Sequence, residues 1–226
     1  MQGLPMTDFA TARQKMVDGQ VRPSDVTDIR IIEAMLEVPR EAFVPESRRA
    51  LAYLDLDLDV SEGGGAKRCL IKAAVLAKML QAADIGETDN VLVVGCATGY
   101  PAAVTAKLAA RVRATESDAA LAAKAAEILA RLGYGNITVN TGDAADGEQT
   151  GAPYDVIVLA GATETIPDRL YSQLKEGGRL VGIFAMSRPA RAVLVTHSQA
   201  DFGERPLFDA TAPVLPGLER TAAFVF

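Results

Sequence analysis

From residue 90 onward the chain alternates short apolar runs with stretches of helical periodicity, and this alternation constrains the fold more than any other feature. The stretches 91–94, 111–116, 136–140, 154–160 and 179–185 read as strands. A helix is expected from Pro101, and a longer one carries Leu121, Ala125, Ile128 and Leu132 on one stripe. Another starts near Pro167 and ends before Gly177-Gly178. Strand and helix in strict turn specify a parallel sheet covered on both faces. Two final runs, at 190–196 and 220–226, have no helix between them and suit an antiparallel addition at the sheet edge. The fold expected is α/β and doubly wound, with a mostly parallel seven-stranded sheet.

Residues 1–60 differ in character and read as a helical extension packed on an α/β domain of residues 61–226, one structural domain overall. Phe9, Ala12 and Met16 share one helix face, as do Ile29, Ile32 and Leu36. Asp25 or Thr27 suits the cap of the second helix, and Pro39 helps to end it. The run LDLDLDV at 54–60 alternates apolar and acidic residues and reads as a strand with one wet face. A flexible loop at 61–68, with glycines at 63–65, leads to a helix bearing Leu70, Ala73, Ala77 and Leu80.

Composition excludes several classes. With 23 basic and 29 acidic residues the net charge is −6, which argues against a nucleic-acid face. The long uncharged stretch 91–106 contains Gly95, Gly99 and Pro101, so it is not read as a membrane span. Two cysteines, Cys69 and Cys96, are too few for a disulfide scaffold, and the expectation is a reduced, cytoplasmic protein. The single histidine, His197, falls at a solvent-facing position of an alternating strand. No cluster of His, Cys and carboxylates has ligand spacing, so no metal site is expected.

The first strand runs directly into a glycine turn, VLVVGCATGY at 91–100. In an open parallel sheet, ligands bind beyond the carboxyl ends of the strands where strand order reverses. Small residues there let backbone N–H groups approach a ligand, and the next helix adds positive potential. No Gly-Lys-Ser/Thr follows, so the turn is not a phosphate loop. Ala97 and Tyr100 stand where a dinucleotide turn has its second and third glycines, which disfavours NAD. Glu116 closes the second strand 17 residues after Gly99 and suits a ribose diol. Asp143 follows the third strand and suits an adenine amino group, with Asp155 at the fourth. A glycine turn and two acids at successive strands fit a nucleoside without a pyrophosphate, and S-adenosylmethionine is such a ligand. The plainer alternative makes Glu116 and Asp143 solvated turn residues.

At these residues the sequence resembles class I S-adenosylmethionine-dependent methyltransferases, which are Rossmann-like. More narrowly it resembles the protein-L-isoaspartate O-methyltransferase family. RQKMVDGQVR at 13–22 and DIRIIEAMLEVPREAFV at 28–44 look like that family's N-terminal segment, with Val38-Pro-Arg-Glu41 the most recognisable element. PYDVIVLAGATETIP at 153–167 and QLKEGGRL at 173–180 look like its fourth- and fifth-strand motifs. The resemblance implies S-adenosylmethionine as cofactor and a protein or peptide carboxyl group as acceptor. Gly95, Ala97 and Gly99 would line the methionine end, Glu116 the ribose, and Asp143 with Ala144 the adenine. The methyl ester formed on an isoaspartyl carboxylate then collapses to a succinimide. Oligomeric state, monomer or homodimer, is left open.

The sequence departs from the family in the substrate loop. Where the family carries Thr-Ile-Ser-Gln-Pro, this chain has Cys69-Leu-Ile-Lys-Ala73. Ile71 stands at the serine associated with catalysis and has no hydroxyl. In the first motif Val93 replaces an acid and Ala97 a glycine. No catalytic residue is assigned; Arg68, Cys69 and Lys72 are the substrate-loop candidates, Arg68 and Lys72 through charge recognition of a carboxylate. Two readings remain: a methyltransferase, on isoaspartate or on a different acceptor, or a non-catalytic or cofactor-sensing relative.

Overall fold

Val91 and Val93 pack into one apolar cluster and Leu92 and Val94 into another. One four-residue run thus supplies both faces of the sheet, because side chains alternate along a strand. The computed structural model describes residues 8–61, 67–199 and 201–220. In chain order its elements are α1 (Phe9–Met16), α2 (Ile29–Glu37), β1 (Leu58–Asp59), β2 (Cys69–Leu70), α3 (Ala73–Ala83), β3 (Asn90–Val94), α4 (Tyr100–Thr105) and β4 (Arg111–Glu116). Then follow α5 (Ala119–Arg131), β5 (Ile137–Thr141), β6 (Tyr154–Thr163), α6 (Asp168–Tyr171), β7 (Leu174–Phe184), β8 (Arg191–Ser198) and β9 (Asp201–Asp209).

The main sheet has seven strands in the order β5-β4-β3-β6-β7-β8-β9. Pairing is parallel from β5 through β7 and antiparallel for β7–β8 and β8–β9. Strand order reverses between β3 and β6, which puts the glycine turn after β3 at the switch point. The larger cluster covers one face with α3, α4, α5 and the N-terminal helices; α6, Leu215 and Leu218 cover the other. Asp118 caps α5, accepting from the N–H groups of Ala120 and Leu121 at 2.9 and 3.1 Å, a cap worth about 1 kcal/mol.

Several expectations are corrected. The cap of α2 is Asp28, which accepts from Arg30 N–H at 2.9 Å; Asp25 instead takes a left-handed turn. Ile29 is 56% exposed, and the buried stripe of α2 is Ile31, Ile32, Ala34 and Met35. Only Leu58 and Asp59 of the LDLDLD run form a strand, pairing with Cys69 and Leu70. Two of the run's three aspartates are drawn to loop N–H groups: Asp57 accepts from Lys72 N–H and Asp59 from Ser61 N–H. Leu70 lies in β2, before the helix assigned to it. The helix after Pro167 is one turn long, and β7 begins at Leu174 and runs through Gly177-Gly178. The seventh strand is β9; of the expected strand at 220–226, residues 221–226 lie outside the described residues, as do the loop residues 62–66.

Asp155 sits at the amino end of β6, away from any strand-end ligand. It accepts from Asn90 N–H at 2.8 Å and from the Lys175 ammonium at 2.7 Å. Burial alone would raise its pKa, but these hydrogen bonds more than offset that and hold it below the usual carboxylate value.

Candidate active site

The turn after β3 takes positive φ at Gly95 (73°), Ala97 (51°) and Gly99 (102°). Glycine does so freely, whereas Ala97 bears a cost on the order of 1 kcal/mol. The turn is closed from within. Gly95 and Cys96 N–H both donate to Thr115 O at 2.9 Å, and Gly99 N–H donates to Cys96 O at 2.8 Å. Ala97 N–H donates to Glu116 Oε2 at 2.7 Å. The sequence led us to expect these groups to face a ligand; instead the protein itself satisfies them. The following helix α4 has six residues, so its terminal field is slight.

Glu116 ends β4 and is 1% exposed. Its Oε1 accepts from Arg68 Nε at 2.8 Å, Asp118 N–H at 3.1 Å and the Ser117 hydroxyl at 3.3 Å. Its Oε2 accepts from Arg68 Nη2 at 2.7 Å and from Ala97 N–H. A carboxylate removed from water needs such compensation, and the two-pronged guanidinium supplies most of it. Arg68, 4% exposed, is thus no solvated loop residue. The proposed ribose acid and the proposed substrate cation are each other's partners.

Leu215, 1% exposed, fills the space in front of the turn. A Cβ on Gly95 would stand 2.4 Å from Leu215 Cδ2 and 3.0 Å from Arg68 Nη2, and one on Gly161 would stand 2.7 Å from the same Leu215 carbon. Backbone bonds hold the segment in place: Ala162 N–H to Pro213 O, Leu215 N–H to Ala162 O and Glu164 N–H to Leu218 O, at 2.8–2.9 Å. Asp143 follows β5, exposed and without a side-chain partner among the described residues. Gly142 N–H donates to Glu116 O at 3.1 Å, so the two acids sit at adjoining strand ends. Ala144 is buried in the cluster that contains Leu215. A cavity of about 200 Å³ lined by Ala145, residues 165–169, Gly217 and Leu218 stays open at this end of the sheet. Another, of about 300 Å³, lies at the amino ends of β3 and β4 beside Asn90, Arg111 and Arg113, remote from these residues.

The substrate-loop candidates separate. Burial pushes the Cys69 thiol up from its ordinary pKa, which disfavours the thiolate a nucleophile needs. Lys72 is half-buried; its N–H donates to Asp57, while its ammonium has no partner among the described residues. Ile71 is 2% exposed and packs in the main core. Ile71→Ser therefore removes buried methyl groups and buries a hydroxyl. We expect a loss of about 2–4 kcal/mol in urea unfolding, so any test of a restored hydroxyl has to be read beside that loss. Unchanged stability would show that this position is open to solvent.

One residue escaped the sequence reading. Arg40, 1% exposed, donates to Ala52 O and Ile71 O at 2.9 Å and to Leu70 O at 3.4 Å, and lies 4.6 Å from the Tyr100 ring centroid. None of these partners is a carboxylate. Arg40 ties the N-terminal segment to the substrate loop, and the Thr98 hydroxyl, donating to Phe43 O at 2.6 Å, ties it to the glycine turn. The available signal was a charged pair, Arg40-Glu41, set between the apolar residues Val38 and Ala42-Phe43-Val44. Its neighbour Glu41 pairs with Arg13 and accepts from the Tyr53 hydroxyl.

In kind, these residues fit an adenosyl ligand: a turn of small residues, a carboxylate ending β4 and another following β5. In this conformation Arg68 and Leu215 hold the space. The described residues contain no group of three or more His, Cys, Asp or Glu side chains suited to a metal ion, and no helix among them is long and apolar enough to cross a membrane.

Comparison with known proteins agrees with the fold and the motifs. A protein-L-isoaspartate O-methyltransferase of Koribacter versatilis is 41% identical over 204 residues, 90% of each chain. A protein-L-isoaspartate O-methyltransferase 1 of Rhodopseudomonas palustris is 40% identical over 196 residues, 86% of this chain and 78% of its own. Among solved structures, a protein-L-isoaspartate O-methyltransferase superposes with a TM-score of 0.82 at 26% identity, over 92% of this chain and 67% of that one. A Plasmodium falciparum protein, solved with S-adenosyl-L-homocysteine, superposes at 0.75 and 16% identity over 93% of this chain and 99% of its own, a likeness of fold. The sequence model of the protein-L-isoaspartate(D-aspartate) O-methyltransferase family matches residues 11–201, and the chain belongs to that family.

Proposed function

We propose that the chain is an S-adenosylmethionine-dependent carboxyl O-methyltransferase acting on isoaspartyl residues of proteins or peptides. The observation that carries this reading is the family match over residues 11–201, which spans the glycine turn, both acids and the substrate loop. When bound, S-adenosylmethionine supplies an activated methyl group on a sulfonium. Glu116 would hold the ribose, Asp143 with Ala144 the adenine, and Gly95, Ala97 and Gly99 the methionine end. The acceptor carboxylate is ionised near pH 7, so the chain needs no general base. This suits a protein whose only histidine lies on β8, its Nδ1 2.9 Å from Lys175 O and its ring stacked on Phe202. The work left to the protein is alignment and exclusion of water, which the buried substrate loop favours. We place the enzyme in the cytoplasm, where its two buried, unbridged cysteines would stay reduced.

The test is transfer of labelled methyl to an isoaspartyl peptide, beside the same peptide carrying normal aspartate. Base-labile ester on the isoaspartyl peptide alone is expected. Cofactor binding without such transfer would refute the acceptor.

A further inference from the structure

The Glu116 carboxylate has about four lone-pair positions and already receives five hydrogen bonds. A ribose diol cannot be added to that set. Two of the five come from Arg68, and they alone belong to a side chain that reaches across from another segment, 48 residues away. The other three are donated by Ala97, Ser117 and Asp118, which belong to the turn after β3 and the start of α5. We propose that Arg68 is an internal stand-in for the ribose and exchanges one carboxylate for another. The cofactor's diol takes over Glu116, and the released guanidinium then receives the acceptor's carboxylate. This rests on the methyltransferase reading above.

The exchange follows from three features. Arg68 reaches Glu116 from residues just ahead of β2, so its withdrawal leaves the strand-end acid and its local donors in place. A guanidinium that loses its carboxylate in a buried site demands another anion, and the acceptor is an anion that has to come close to the same cleft. Arg68 also has donors to spare. It bonds Glu116 through Nε and Nη2 only, and Nη1 carries no hydrogen bond among the described residues. Leu215 is the apolar half of the same filling, occupying the slot between Gly95 and Gly161. Cofactor entry therefore displaces both side chains. Cofactor and acceptor then bind with positive coupling, because the first to arrive frees the group that the second needs.

Ligands normally shield the arginines of their site, and this exchange requires the opposite. The wild-type protein is treated with phenylglyoxal and the adducts are mapped by mass spectrometry, with S-adenosylhomocysteine binding followed by calorimetry. Arg68 should be almost unreactive alone, several-fold more reactive with S-adenosylhomocysteine, and shielded again when an isoaspartyl peptide is added. Arg68→Lys, which keeps the charge but loses one prong, should bind S-adenosylhomocysteine about tenfold tighter, the weight of one charge-assisted hydrogen bond. Saturating S-adenosylhomocysteine with Arg68 still unreactive, or equal affinity in Arg68→Lys, overturns the exchange and leaves the cofactor site standing. No binding of S-adenosylhomocysteine to either protein overturns the exchange and the site together.

Discussion

Glu116→Gln lowers the melting temperature by on the order of 10 °C. The substitution is nearly isosteric, but it turns an acceptor into an NH₂ that faces one prong of the Arg68 fork together with either Ala97 N–H or Asp118 N–H. Arg68 is then a buried cation without a counter-charge. Breaking one side of a buried pair costs about 3–5 kcal/mol, and a chain of this size shifts by roughly 2–4 °C per kcal/mol. Adding Arg68→Gln should return part of the loss, because the stranded charge goes with it. A double-mutant cycle in urea should give a coupling above about 1.5 kcal/mol. Additive losses would mean that the two side chains do not share a low-dielectric site.

Arg40→Lys has an effect of similar size from a different cause. Arg40 satisfies the carbonyls of Ala52, Leu70 and Ile71 with one planar group, and an ammonium cannot reach them in that geometry. Burial already lowers the pKa of Arg40, with the Tyr100 hydroxyl opposing; arginine stays charged regardless. A lysine in the same place, with no carboxylate bonded to it, deprotonates on folding. The unfolded chain then binds one proton more than the native chain at neutral pH. Stability of the variant should therefore rise with pH, by up to about 1.4 kcal/mol per unit, until it levels off near the ordinary lysine value of about 10.4. The wild type has no such contribution. Urea unfolding at pH 7, 8 and 9 measures both, and a slope equal to the wild type's would show that the lysine stays charged. Because Ile71 O is one of the carbonyls released, we also expect the acceptor KM to rise more than kcat falls.

The central strands were legible because a parallel strand buried on both faces has to be apolar throughout. β3 and β6 therefore stand out from their neighbours without further information. β9 did not, since Asp201–Asp209 is an edge strand with mostly exposed residues, a glycine and a proline, and shows no alternation. The LDLDLD run alternates convincingly, yet Asp57 and Asp59 serve loop N–H groups and only Leu58 and Asp59 join a ladder. At the site, the positions of Glu116 and Asp143 at adjoining strand ends were readable, because the strand boundaries were. Their occupancy was not. The ion pair of Glu116 joins residues 48 apart, and Leu215 comes from a coil segment with no periodicity to mark it. Chain spacing carries no sign of contacts of that kind.

The sheet order has a consequence for biosynthesis. β3 lies between β4, which follows it closely, and β6, whose first contact with it, Asn90 to Asp155, spans 65 residues. A nascent chain that has emerged only as far as Gln149–Gly151 can assemble β3, β4 and β5, but it shows an edge of unpaired N–H and C=O groups along Val91–Val94 and, beside it, the apolar face of Leu92 and Val94 that α6, Leu215 and Leu218 later cover. Unpaired strand edges and uncovered apolar surface make a partly folded chain prone to aggregate, so a pause at that length leaves both exposed.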